Sequence, residues 1–258
     1  MKPAWVAHAG RIVALLAISV LALQAYFFAR VALMAWVDPH STTFERSEAW
    51  RLLVERRRLD WSQAWADYDD ISANLKRAVI ASEDAGFAEH SGVEWDALER
   101  AWERNLRSQE RAERQNESLL RRHAADAVRP VALREARLVG GSTITQQLAK
   151  NLFLSGERTA PRKAQEFAIT MMLEATLSKR RILEIYLNHV EWGEGRFGAQ
   201  AAARQYFKVD AADLGTWQAA RLAVMLPAPK RFEKHPGSAY VQGRAATVAA
   251  RMAGVQPP

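Results

Sequence analysis

Ile12 to Ala29 is an apolar run broken only by Ser19 and Gln24. A helix that is apolar on every side needs either a core around it or lipid, and a run at the very start of a chain points to lipid. As a helix it is roughly 27 Å long, close to the ~30 Å thickness of a bilayer's hydrocarbon. Arg30 interrupts it and Val31 to Val37 is apolar again, so the transmembrane segment is expected within 12–37. Arg30 either snorkels to the far interface or the span shifts toward Trp36. Lys2, His8 and Arg11 precede the run, which places residues 1–11 in the cytoplasm and the bulk of the chain beyond the inner membrane. A signal peptide is the competing reading; the length of the run and the lack of a small-x-small cleavage site argue against it.

Of 258 residues, roughly 220 then remain, enough for one domain with its own core. The chain has no cysteine, which excludes disulfides and thiolate metal sites. Its net charge of +7 calls for acidic partners, and a location outside the membrane argues against nucleic acid and for anionic lipid or lipid-linked phosphate.

Asp38 to Thr43 reads as a short linker and Phe44 to Asp70 as a helix, so 38–70 is expected to be a juxtamembrane linker and interfacial helix. Trp50, Trp61 and Trp65 beside Arg56, Arg57 and Arg58 suit a membrane interface; a solvated helix packed on the main domain is the alternative. From Ile71 onward, 71–258 reads as one mainly α domain in which no strand pattern stands out. Ala78 to Ala81 leads into the adjacent carboxylates Glu83 and Asp84, followed by Phe87, His90 and Gly92. Neighbours on a helix point about 100° apart, so one carboxylate can face a cleft while the other caps or pairs. A Glu at the edge of an apolar segment tends toward a raised pKa, which suits a general acid or base. Trp95 to Asn105 is an amphipathic helix with Trp95, Leu98 and Trp102 on one side. Arg104 to Arg137, with nine Arg against five acidic residues, reads as a charged helix followed by a loop, either a solvated face, a flap or a lipid-headgroup contact.

The stretch from Gly140 to Glu166 carries the most chemistry. Gly140 and Gly141 allow close backbone approach, and Ser142 and Thr143 stand where a helix N-cap belongs, with Gln146 completing a capping-box pattern. Thr143, Gln147 and Lys150 fall on one helix face behind a terminus that favours anions. Pro161 suits a first helical turn, and Phe167 to Leu177 is apolar almost all round, marking a buried helix. At its start, Arg162 and Lys163 are spaced to meet Glu166, either as a plain helix ion pair or as a cluster that holds phosphate. Beyond it, Ser178 to Asn188, Ala199 to Phe207, Leu214 to Leu226 and Tyr240 to Met252 read as helices, and Glu191 to Gly198 as a glycine-rich loop.

Five segments together resemble the peptidoglycan glycosyltransferases of glycosyltransferase family 51, above all their monofunctional, membrane-anchored members. They are Glu-Asp-x-x-Phe-x-x-His-x-Gly at 83–92, Gly-Gly-Ser-Thr-Ile-Thr-Gln-Gln-Leu-Ala-Lys-Asn at 140–151 and Arg-Lys-x-x-Glu at 162–166. Arg-Ile-Leu-Glu-x-Tyr-Leu-Asn at 181–188 and Gly-x-x-x-Ala-Ala-x-x-Tyr-Phe at 198–207 complete the set. The resemblance implies a lysozyme-like α fold and polymerisation of lipid II into a glycan strand by β-1,4 transfer, with release of undecaprenyl diphosphate. It implies Glu83 as general base toward the acceptor hydroxyl and Glu166 as the carboxylate that assists departure of the diphosphate, with a divalent cation, Mg2+ or Mn2+, as an optional helper. Thr143, Gln147, Lys150, Asn151, Arg162 and Lys163 match substrate-binding positions. Membrane lipid and other cell-wall synthesis proteins are the implied partners. The chain departs from the pattern in a longer 104–137 connection and in Gln218, where the family has Glu, and it ends too soon after Met252 for a transpeptidase domain. A lytic transglycosylase would need no diphosphate site, and a non-catalytic scaffold would not need both Glu83 and Glu166. By analogy with inverting glycosidases, a wide separation of those two carboxylates is expected.

Overall fold

The computed structural model describes residues 4–123, 133–135, 141–157 and 159–258. Gly140, Pro130 and much of the connection expected after the charged helix lie outside the described residues. The chain forms two compact units, Met1–Gly92 with Ile144–Pro258, and Val93–Thr143.

The larger unit begins with α1 (Ala4–Leu33), whose stretch Gly10–Leu33 is long and apolar enough to cross a membrane. A capping box then starts α2 (Thr43–Arg51): Thr42 Oγ1 accepts from the Glu45 N–H at 3.1 Å and Glu45 Oε2 accepts from the Thr42 N–H at 2.7 Å. The helix expected to run on to Asp70 stops early. One wide turn, Leu52–Arg56, follows, and Arg57 at φ 51° ends it. β1 (Ser62–Gln63) and a short 3-10 turn, Tyr68–Asp70, take up the remainder. Trp61 and Trp65 therefore pack on the domain. Trp61 stacks on Phe197 at 4.6 Å and Trp65 lies edge-on to His189, whereas Trp50 stays exposed.

α3 (Ala73–Glu83) follows in the larger unit. In the smaller unit, α4 (Trp95–His123) runs well past Asn105. Its Glu103–Arg107 and Glu110–Arg114 pairs hold the solvent side together, and Trp95, Leu98 and Trp102 are exposed. Back in the larger unit come α5 (Ile144–Phe153), α6 (Ala160–Thr176) and α7 (Lys179–His189), with α5 packed against both α6 and α7. The segment read as a loop is a hairpin of β2 (Glu191–Gly193) and β3 (Arg196–Phe197). β3 pairs antiparallel with β2 and parallel with β1, giving the order β1-β3-β2. Strands of two or three residues are too short for an alternating pattern to show, which is why none is visible in the sequence. α8 (Ala199–Phe207), α9 (Thr216–Met225), α10 (Pro229–Phe232) and α11 (Ala239–Met252) finish the chain, and α3, α9 and α11 pack together. The fold is mainly α, as expected.

Two sequence readings need correction or a reason. α6 is buried on one side only: Ile169, Thr170 and Leu173 are inside, Phe167 is 40% exposed, and α1 lies along the helix. Gln218 closes a cap by accepting the Gly215 N–H at 2.9 Å, a structural task its amide performs as well as a carboxylate would.

Gly195 is the tightest point of the hairpin. Its φ is +70°, and a Cβ there would lie 2.1 Å from the Asp60 carbonyl oxygen. Gly195→Ala is expected to destabilise the protein by about 3 kcal/mol, through left-handed strain plus overpacking, read as a lowered thermal midpoint.

Candidate active site

The site is built where α3 ends and α5 begins. Glu83 is the last residue of α3 and Asp84 its C-cap, with an extended φ of −162° that turns the chain out of the helix. Asp84 is 5% exposed and uses both oxygens. Oδ2 accepts the Ile144 N–H at 2.9 Å, capping the start of α5 where the helix dipole favours a negative charge, and Oδ1 meets His90 Nε2 at 2.7 Å. Nδ1 of the same ring accepts the Gly92 N–H at 3.1 Å, so both ring nitrogens are assigned: Nε2 carries the proton given to Asp84. Gly92 sits at φ +84° with Thr170 Cγ2 2.7 Å from where a Cβ would be, so α6 leaves room for glycine alone. Phe87 is fully buried under the Lys179 ammonium, 4.6 Å from its ring centroid, and Lys179 also bonds the His90 carbonyl at 2.6 Å. Of the expected pair, Asp84 is the one that caps and pairs.

Glu83 is thereby aimed the other way. Its Oε2 accepts from Gln147 Nε2 at 3.2 Å and its Oε1 from Ser82 Oγ at 3.3 Å. Gln147 is held in turn: the Tyr186 hydroxyl, 1% exposed, donates to Gln147 Oε1 at 3.0 Å, which leaves the NH2 end for Glu83. Burial pushes the Glu83 carboxyl above the ordinary glutamate range. Gln147 and Ser82 partly offset this, Asp84 adds to it and the charge of Arg244 opposes it. Burial likewise drives the Tyr186 phenol well above its usual value, with the Glu83 and Asp84 charges adding to the shift, so it stays a donor. Neither Ser82 nor Tyr186 was identifiable as a supporting residue from sequence, although Tyr186 sits in the Arg-Ile-Leu-Glu-x-Tyr-Leu-Asn segment.

The second carboxylate lives in the opposite electrostatic setting. Thr159 caps α6 by accepting the Arg162 N–H, and Pro161 occupies the first turn. One turn on, Glu166 is 3% exposed, bonded to Arg162 Nη1 at 2.7 Å through Oε2 and to Lys163 Nζ through Oε1. Arg162 is mostly buried and its Nε has no hydrogen-bond partner among the described residues, whereas the Lys163 side chain is 53% exposed. Lys150, on α5, joins this group. Partial desolvation lowers its pKa, the Glu166 charge raises it, and Arg162 and Lys163 lower it. Its surface remains open to solvent although its surroundings are crowded. Three cations thus stand around one carboxylate, an excess of positive charge whose chemistry suits a phosphate-type anion.

The structure therefore brings Glu83 and Gln147 into one network, and Lys150, Arg162, Lys163 and Glu166 into another. Asn151 is half-buried on α5, outside both. Thr143 is buried at the end of the smaller unit. A divalent cation does not fit at Glu166. Both its oxygens already hold side-chain cations, and a metal would add charge where cations are in excess.

A matching family model, described as transglycosylase, covers residues 53–114 and 117–253. Over 254 residues the chain is 48% identical to a biosynthetic peptidoglycan transglycosylase of Paraburkholderia xenovorans, covering 98% of this chain and 94% of that one. Proteins of the same name from Paraburkholderia phytofirmans and Burkholderia multivorans are 47% and 46% identical, also over 98% of this chain, with 94% and 92% of theirs covered.

A buried carboxyl with a raised pKa costs stability when ionised. That cost appears as pH rises through and above the unfolded value, and is absent below it. Glu83→Gln is accordingly expected to raise the thermal midpoint at pH 8 and to leave it unchanged at pH 3.5. Gln147→Leu removes a bond to the ionised form, so the Glu83 carboxyl titration, followed by carbon-13 NMR, is expected to move to higher pH.

Proposed function

Because the chain belongs to the transglycosylase family, we propose that it is a peptidoglycan glycosyltransferase. It polymerises lipid II into glycan strands by β-1,4 transfer and releases undecaprenyl diphosphate. The observation that carries this reading is the pairing of two unlike carboxylates: Glu83, desolvated and short of cations, and Glu166, embedded among them.

A sugar hydroxyl is a weak nucleophile and needs a positioned base. Glu83 takes the proton of the acceptor 4-hydroxyl as its oxygen forms a bond to the donor's anomeric carbon. Burial makes Glu83 a stronger base than a solvated glutamate, and the Tyr186–Gln147 chain holds it in place. The bond from the anomeric carbon to the diphosphate oxygen breaks on the opposite face, and the electron pair leaves with the diphosphate. Arg162, Lys163 and Lys150 receive the charge that develops there. Glu166 keeps Arg162 and Lys163 gathered before the ligand arrives, so little reorganisation is needed as the bond breaks. Side-chain cations meet the diphosphate in this scheme, and no step requires a metal held by the protein.

The chain's place is the inner membrane, anchored by α1 with residues beyond it on the periplasmic side. This rests on the apolar stretch of α1 and on Lys2, His8 and Arg11 at its N-terminal end. Membrane lipid is then a partner by construction, and other wall-synthesis proteins are partners by the logic of a shared glycan product.

The test is polymerisation of labelled lipid II by the detergent-solubilised protein. Wild type is expected to give long glycan products. Glu83→Gln and Glu166→Gln are each expected to lower the rate at least about 100-fold, the scale of losing a catalytic acid–base group, with the fold intact by circular dichroism. A folded wild type that cuts preformed glycan, or makes no product at all, overturns the proposal.

A further inference from the structure

The apolar helix α1 does not stand clear of the rest of its unit. Two-thirds of the way along it, Gln24 Nε2 donates to Gln165 Oε1 at 2.8 Å, and Gln165 Nε2 donates back to Gln24 Oε1 at 3.1 Å. Each amide thus satisfies the other. Gln165 is the residue before Glu166 on α6. One turn further along α1, Phe27 packs edge-on to Phe153 at 5.3 Å, and Arg30 lies over the same ring. Phe153 ends α5, the helix that carries Gln147 and Lys150. At the far end of α1, Arg181 Nε donates to the Met34 carbonyl at 2.7 Å, and its guanidinium pairs with Asp38 at 2.6 Å. Gln24 meets the start of α6 and Met34 meets the residue region just past its end, so the two helices run side by side in the same sense.

This docking decides how deep the helix can sit. If the hydrocarbon began at Ile12, its ~30 Å would reach beyond residue 30, and Gln24, about 18 Å along, would lie inside it. The first two turns of α6, with Arg162, Lys163 and Glu166, would be carried into the lipid at a high cost for charged groups. The geometry avoids this when the crossing stretch ends at Leu23. Ala4 to Leu23 spans about 30 Å, and Arg11 then snorkels to the cytoplasmic headgroups.

We propose that the Gln24–Gln165 pair is a positioning device that fixes α1 along α6, holding the cation cluster of Arg162, Lys163 and Lys150 at the outer headgroup level of the bilayer. This rests on the reading of that cluster as the site for a lipid-linked diphosphate. A phosphate that stays in the headgroup layer then meets its cations without the lipid tail being drawn out of the membrane. The two reciprocal amide bonds, with the Phe27–Phe153 contact one turn on, give the docking a fixed register along α6.

The lack of cysteine makes the test clean. In full-length protein reconstituted in vesicles, Gln24→Cys/Gln165→Cys is expected to cross-link quantitatively through a short bifunctional thiol reagent and to keep its activity. Phe28→Cys is expected to react with a membrane-impermeant maleimide applied from the catalytic side, while Val20→Cys is protected. Gln165→Ala and Gln24→Ala are each expected to slow polymerisation of vesicle-embedded lipid II about tenfold. The rate on a short-chain lipid II analogue in detergent stays within twofold, a split that loss of folding would not produce. No cross-link, a linked protein that is inactive, protection of Phe28→Cys, or equal losses on both substrates overturns the proposal. The cross-link and labelling read out the docking even if the wild type polymerises nothing, so the two proposals fail separately.

Discussion

Asp84 is the hinge on which the site turns. One carboxylate ends α3, caps the first N–H of α5 and fixes a histidine that in turn shapes the loop to Gly92. It is nearly buried, so each of these bonds operates where water does not compete, and an unmet oxygen there would cost ~1–3 kcal/mol or more. Because Asp84 joins the end of α3 to the beginning of α5, Glu83 and Gln147 come into register as neighbours. The Tyr186 hydroxyl adds a third point of support from α7. The Glu83 carboxyl is thus positioned by helices.

The two glutamates show how one residue type takes two roles through its surroundings. Glu83 has only neutral donors within hydrogen-bonding distance, so desolvation dominates and its affinity for a proton rises. Glu166 is more deeply buried but carries an arginine and a lysine on its two oxygens. It gathers cations, and in the proposed reaction those cations meet the departing diphosphate. Excess positive charge in a mostly buried cluster is costly without an anion.

Much of this was readable from local spacing. The contacts of Arg162 and Lys163 with Glu166 follow from positions three and four apart on a helix. The division of labour between Glu83 and Asp84 follows from the angle between adjacent helical residues, though not which of them would cap. The failures were of another kind. The helix expected through Asp70 ends at a left-handed Arg57, and Trp61 leaves the interface to stack on Phe197, far along the chain. The β-hairpin was hidden because two-residue strands owe their existence to partners and not to their own pattern.

By itself, the sequence determined what depends on near neighbours: an apolar N-terminal helix, a mainly α domain, an ionic cluster at the start of α6 and a set of motifs specific enough to name a family. Tertiary structure decided what depends on residues remote in sequence. It chose Gln147 and Tyr186 as the supports of Glu83, drew Lys150 to Glu166 and laid α1 along α6 through Gln24 and Gln165. The physical reason is that helical periodicity fixes which side chains share a face. Which faces meet is set by burial and by the matching of buried polar groups across the whole chain.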